Sequence, residues 1–158
     1  MKKKLKLVGY ILLGVFIVIQ FIRPDKNQGS LESIVAFQKD TSTPDNVVRI
    51  LKEQCFDCHT SYTKYPWYAE VAPISFWLDD HVIDGKKHFN MSEWNSYSAK
   101  KKDHKLEELI EEVEEGEMPL PSYTWIHGSL SEEDKKVLLD WANIARLKYE
   151  KELKVSFK

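Results

Sequence analysis

The chain has only two cysteines, and they stand three apart in Cys55-Phe56-Asp57-Cys58, with His59 directly after. Two thiols at this spacing on a turn can both reach the vinyl groups on one edge of a porphyrin. The imidazole of the next residue then falls under the iron as proximal ligand. Chance seldom sets the only two cysteines of a chain at this spacing with a histidine following. The expectation is one covalently attached haem c, held by Cys55, Cys58 and His59. Other uses of the pair have less behind them. A structural zinc site needs four ligands, and no second cysteine pair or spaced histidine pair completes it. A thioredoxin-like redox pair belongs at a helix start in a βαβ setting, whereas these cysteines end a helical pattern. A plain disulfide between them would close a strained, short loop. A structural zinc or disulfide domain is the non-haem alternative.

A low-spin electron carrier adds a second axial ligand, a methionine thioether or another histidine. Met118 lies in Gly116-Glu117-Met118-Pro119, after a helix stop and on a stiff, extended loop that can aim a side chain into a pocket. It is the expected distal ligand, with His81, His127 and Met91 as alternatives. Met91 sits in Asn-Met-Ser-Glu, a helix start or turn, and an isolated methionine ordinarily fills gaps in a core. His81 shares a helical face with Trp77. His127 is near enough to Met118 to serve as ligand or as partner of a haem propionate. His88 and His104 read as structural or solvated side chains, as a lone histidine ordinarily is.

The elements that must position these groups are helical. Pro44 behind Ser42 and Thr43 marks a helix start, and Val47, Leu51, Cys55 and Cys58 then fall on one face. Pro73 opens a second helix through Ile74, Trp77, Leu78, His81 and Val82, with Gly85 expected to stop it. A third spans Ala99 to Glu115, with Leu106, Leu109, Ile110 and Val113 on one stripe and Gly116 as its stop. The fourth starts at Ser131 and carries Val137, Leu138, Trp141, Ile144 and Ala145. No alternating strand pattern or hairpin turn occurs, so the class is all-α.

Between Tyr62 and Trp94 the sequence is dense in aromatics, which suits core packing first and a large apolar cofactor wall second. Seven glutamates between Glu107 and Glu117 form a solvated helix face. They could also steer a basic redox partner. Arg146 is a further candidate to pair with a propionate.

Charge is segregated along the chain. Residues 1–23 hold five basic residues (Lys2, Lys3, Lys4, Lys6 and Arg23) and no acidic one, leaving 18 basic against 25 acidic residues, net −7, in the rest. That balance excludes a strongly basic nucleic-acid binder. Leu7 to Ile22 carries no charge. Counted from Leu5 it spans roughly 27 Å of helix at ~1.5 Å per residue, and no small-residue cleavage site follows. The expected organisation is a signal-anchor or transmembrane helix at 1–23, a tether at 24–43 with a short helix around Leu31–Phe37, and a haem-binding domain at 44–158. The lysines before the span predict a cytoplasmic N-terminus and a translocated body.

From Cys55 to Trp141 the chain resembles the bacterial haem-binding domain family, small membrane-anchored proteins similar to c-type cytochromes. The resemblance rests on Cys-Phe-Asp-Cys-His-Thr at 55–60, Tyr-Pro-Trp-Tyr at 65–68, Pro-Ile-Ser-Phe-Trp-Leu with His81, Asn90 to Trp94, and His-Lys-Leu-Glu-Glu at 104–108. It continues through Gly-Glu-Met-Pro-Leu-Pro-Ser-Tyr at 116–123 and the Leu-Ser-Glu-Glu start of the last helix. It implies Cys55 and Cys58 as thioether sites, His59 as proximal and Met118 as distal ligand. Together with the lysines before the span, the resemblance to a bacterial family implies a single-pass bacterial inner-membrane protein with its C-terminal domain in the periplasm. The order of motif, Met-Pro and terminal helix is also similar to class I cytochromes c, which implies a cytochrome c-like helical domain. The expected function is single-electron transfer with an unidentified redox partner and no enzymatic chemistry. The alternative is a haem-based redox or gas sensor.

Overall fold

In the computed structural model, which describes residues 1–156, caps and apolar stripes divide the chain into α1 (Lys2–Ile19), α2 (Val35–Asp40), α3 (Asp45–Gln54), α4 (Phe56–His59), α5 (Ile74–His88), α6 (Ala99–Glu115), α7 (Pro121–His127) and α8 (Glu132–Ser156). Short 3-10 turns lie at Leu31–Ile34, Trp67–Glu70 and Met91–Ser96. Among the described residues there is no strand, only an isolated bridge between Gln28 and Tyr62. The all-α class is as the sequence reads. Phe157 and Lys158, at the end of the expected 44–158 domain, lie outside the described residues.

Local chemistry accounts for both ends of α6 and for the start of α8. The Ser98 hydroxyl accepts from the Lys101 amide at the start of α6, and Gly116, at φ 80°, closes the helix in the left-handed conformation that glycine tolerates. The Ser131 hydroxyl accepts from the Asp134 amide and opens α8. Gly85 does not stop α5, which runs on to His88. Its role is contact: a Cβ there would stand 2.7 Å from the Cys58 carbonyl oxygen.

The core forms where α6 and α8 pack together. Leu106, Ile110 and Val113 face Leu138, Trp141, Ala142, Ala145 and Tyr149, with Trp94 fully buried beside them. Trp94 meets Phe37 edge-on at 5.0 Å and Tyr149 at 6.0 Å. Phe37, also fully buried, comes from α2, inside the stretch read as a tether. That stretch is stitched to the body further upstream too. The Thr63 amide donates to the Asn27 carbonyl (2.9 Å), and the Gly29 amide donates to the Ser61 carbonyl (2.7 Å). The Asn27 side-chain amide donates to the Thr60 carbonyl and to the Thr63 hydroxyl, both at 2.9 Å.

The expected membrane span is overturned. No helix among the described residues is long and apolar enough to cross a membrane. α1 begins at Lys2, so four of its 18 residues are lysines, and it ends at Ile19 rather than Ile22. Its uncharged part, Leu7–Ile19, covers roughly 20 Å at ~1.5 Å per residue, well under the ~30 Å of a hydrocarbon core. Beyond it Gln20 is taken up by the body, its side chain bonding both the amide and the carbonyl of Ala72 at 3.0 Å. The single-pass, inner-membrane and periplasm-facing placement falls with the span.

Candidate functional site

The Cys55–His59 segment is a single helical turn that follows directly on α3. Cys55, at φ −128°, breaks α3, and its carbonyl then accepts from the amides of Cys58 (3.2 Å) and His59 (3.0 Å). Phe56 points into the core and anchors the turn, while Thr60 closes it by donating its hydroxyl to the Phe56 carbonyl (2.8 Å). One face of the turn is thereby buried, and Cys55, Cys58 and His59 are turned toward a cavity of about 660 Å³. α5 supplies a second wall with Trp77, Leu78, His81 and Val82. α6 supplies a third with Lys105, Leu109 and Val113, and an arm from Met118 to His127 covers the remaining side.

Histidine 59 is oriented by its backbone contacts. Its Nδ1 lies 2.9 Å from the Phe89 carbonyl oxygen, and a carbonyl only accepts, so Nδ1 carries the proton and Nε2 keeps its lone pair. Burial lowers the ring's pKa, against hydrogen bonds to the Phe89 and Gly85 carbonyls that raise it, so the imidazole is neutral. Burial also pushes the Cys55 thiol up to about 12 and the Cys58 thiol up to about 11, the first helped by Cys58 and the second by Asp57. Both sulfurs stay protonated at neutral pH.

The cavity gathers every residue expected as a haem ligand: Cys55, Cys58, His59, Met118, His81, His127 and Met91 all line it. Met91 is only 1% exposed and belongs equally to the core, whereas Met118 is half-buried at the cavity's edge. Met118 is fixed by its amide, which donates to the Glu112 carbonyl at the end of α6 (3.0 Å). His81 bonds through Nδ1 to the Trp77 carbonyl four residues back (2.7 Å) and is half-buried at the cavity wall. His127 stacks on Tyr123 with ring centroids 4.1 Å apart. His104 and Arg146 stand elsewhere. Arg146 bonds Asp103 (2.9 Å) and Glu107 (2.8 Å) across the α6–α8 contact and does not line the cavity.

Several site residues escape a reading of the sequence alone. Gly85 lets α5 pass against Cys58, and Tyr123 reaches back to the motif, its hydroxyl 3.0 Å from Asp57 Oδ2. Gln54 lines the cavity too, and its side-chain oxygen is buried without a hydrogen-bond partner. No spacing rule marks these positions. Pro121 at the first position of α7 is the one local sign of the helix that carries Tyr123.

These residues fit a haem. The set offers a neutral imidazole with a free nitrogen, two neutral thiols, a thioether and an orphaned amide oxygen. They surround a mostly apolar cavity within the ~300–1,000 Å³ of small-molecule and cofactor sites. Among the described residues no group of three or more His, Cys, Asp or Glu side chains is placed to hold a metal ion, which leaves the zinc alternative without a ligand set. Both cysteines are free, so no disulfide joins them. Neither the curated proteins nor the solved structures compared with the chain give a match. A family model described as the haem-binding domain matches residues 14–144, a span that takes in the whole cavity. The chain belongs to the haem-binding domain family.

Proposed function

We propose that this haem-binding protein holds one haem c, for which Cys55 and Cys58 would supply thioethers and His59 and Met118 would ligate the iron, and works as a one-electron carrier for a partner protein. The observation that carries this reading is the convergence of both thiols, the imidazole and the thioether on one cavity. Bound haem supplies an iron that cycles between two oxidation states. The protein's own residues do the rest. His59 keeps its Nε2 lone pair for iron because the Phe89 carbonyl holds the proton on Nδ1. Cys55 and Cys58 keep their hydrogens, so each would supply both the sulfur and the hydrogen that a thioether to a vinyl group requires, without an oxidant. Leu78, Val82, Leu109 and Val113 keep water from the site, and a thioether at Met118 favours ferrous iron. The chain itself performs no substrate chemistry in this reading.

Covalent attachment is the test. Protein co-expressed with a cytochrome c maturation system should keep its haem stain through denaturing electrophoresis. Cys55→Ala or Cys58→Ala should weaken the attachment, and the double variant should abolish it. Haem that leaves the wild type intact in acidified organic solvent would overturn the reading.

A further inference from the structure

Asp57 occupies the second of the two positions between the cysteines, where attachment chemistry asks for no particular residue. Its carboxylate is nevertheless fully engaged. Oδ1 accepts from the Lys64 amide (2.9 Å) in the loop after the motif, and Oδ2 accepts from the Tyr123 hydroxyl (3.0 Å) in α7. The Tyr123 oxygen is also 3.1 Å from the Glu53 carbonyl at the end of α3. Burial first, and then the Asp57 charge, raise the Tyr123 pKa, so the phenol keeps the proton it donates.

The arm that carries Tyr123 runs from Gly116 to Gly128, both at positive φ (80° and 83°), and Met118 lies near its start. On one side Met118 is fixed by its amide bond to the Glu112 carbonyl. On the other, Trp125, Ile126 and His127 are exposed. What ties that half of α7 across the cavity is Tyr123 on Asp57 and the hydrogen bond joining His127 Nε2 to Tyr68 Oη at 3.1 Å. The five residues that attach the cofactor therefore also hold, through Asp57, the arm that bears the distal sulfur.

We infer that Asp57 and Tyr123 form a latch that positions Met118 and keeps the sixth coordination site closed to small exogenous ligands. The inference rests on the reading of Met118 as distal ligand. Asp57 and Tyr123 are positioning residues, acting on the iron through Met118. Tyr123→Phe is the clean probe, because it removes one oxygen and leaves the ring to stack on His127.

The experiment compares carbon monoxide binding to the reduced, haem-loaded wild type, Tyr123→Phe, Asp57→Asn, the double variant and Met118→Ala. Wild type should bind slowly and Met118→Ala fast. Each latch variant should raise the rate about 10- to 100-fold, the change in open population that loss of one hydrogen bond to a charged acceptor gives. The double variant should add little to Tyr123→Phe, which already removes the bond to Asp57 together with the contact to the Glu53 carbonyl. In haem-free protein, Tyr123→Phe should speed amide hydrogen exchange across residues 120–128 and leave α6 and α8 protected. Latch variants as slow as wild type beside a fast Met118→Ala would overturn the latch while leaving the ligand assignment standing. Unchanged exchange in the arm would also overturn it. A wild type as fast as Met118→Ala would overturn the ligand assignment itself, and the latch with it.

Discussion

Gly85 of α5 lies against the backbone of Cys58 so closely that a methyl group on it would stand 2.7 Å from the Cys58 carbonyl oxygen and 2.9 Å from the Cys58 Cβ. The helix that supplies one cavity wall and the turn that carries Cys58 are thus packed backbone to backbone. The contact also brings the end of α5 and Phe89 up to His59, whose ring bonds the Phe89 carbonyl.

Gly85→Ala should therefore damage the site although the residue has no functional group. Alanine gains helix propensity here, worth up to about 1 kcal/mol. Against that, the obstruction is backbone and cannot swing aside, and overpacking of this kind costs about 1–3 kcal/mol. The expected outcome is a net loss of stability in denaturant unfolding and a lower fraction of covalently loaded protein after co-expression with a maturation system. Unchanged stability and full loading would show that α5 can slide without cost.

Asp40 should govern stability in acid. It ends α2 and gathers partners from three other parts of the chain. Oδ2 accepts from Trp94 Nε1 (2.9 Å), Lys102 Nζ (2.8 Å) and the Tyr149 hydroxyl (2.8 Å), while Oδ1 accepts from Lys148 Nζ. Burial alone would raise its pKa, but the bonds from Lys102, Lys148, Tyr149 and Trp94 outweigh it and hold the carboxyl well below the usual range. A carboxyl depressed in the folded state stabilises the fold above its unfolded pKa of ~3.9, and that contribution is lost as pH falls toward the folded value. Asp40→Asn should cost about 2 kcal/mol at pH 7. In urea titrations from pH 7 to 2, the gap between wild type and variant should begin to narrow below about pH 4 and keep narrowing down to pH 2. A gap independent of pH would assign Asp40 a packing role alone.

Where structure is set by neighbouring residues, the sequence is a sufficient guide. Ser98 and Gly116 bound α6 by capping chemistry confined to a few residues, and the spacing of Cys55, Cys58 and His59 is itself local. Gly85 misleads because a glycine that ends a helix and one that admits a neighbouring backbone look alike in sequence. Residues 24–43 read as a polar tether with a short helix, and their polarity does not report what holds them to the body. Their contribution is the backbone pairing of Asn27 and Gly29 with Thr63 and Ser61, together with one buried ring, Phe37. The apolar run after Lys6 is misread because composition does not show that the helix ends at Ile19 and that Gln20 bonds Ala72. The Asp57–Tyr123 pair spans 66 residues, and no periodicity reports a contact at that range.

The candidate axial ligands should separate by what each substitution does to the iron and to the fold. If Met118 supplies the distal sulfur, the oxidised protein should show the weak near-infrared band of sulfur-to-iron charge transfer, and Met118→Ala should abolish it and lower the reduction potential. Met91→Ala should act in the opposite register. Its side chain is buried to 1% exposure within the core, so the cavity it leaves should cost about 2–5 kcal/mol of stability while the band and potential persist. His81 is half-buried, with Nδ1 committed to the Trp77 carbonyl. His81→Ala should leave band, potential and stability close to wild type. The measurements are a near-infrared spectrum, a redox titration and a denaturant curve for each variant. A band that survives Met118→Ala and disappears in Met91→Ala would move the ligand to Met91. A wild type with no band, whose haem spectrum changes on His81→Ala, would move it to His81.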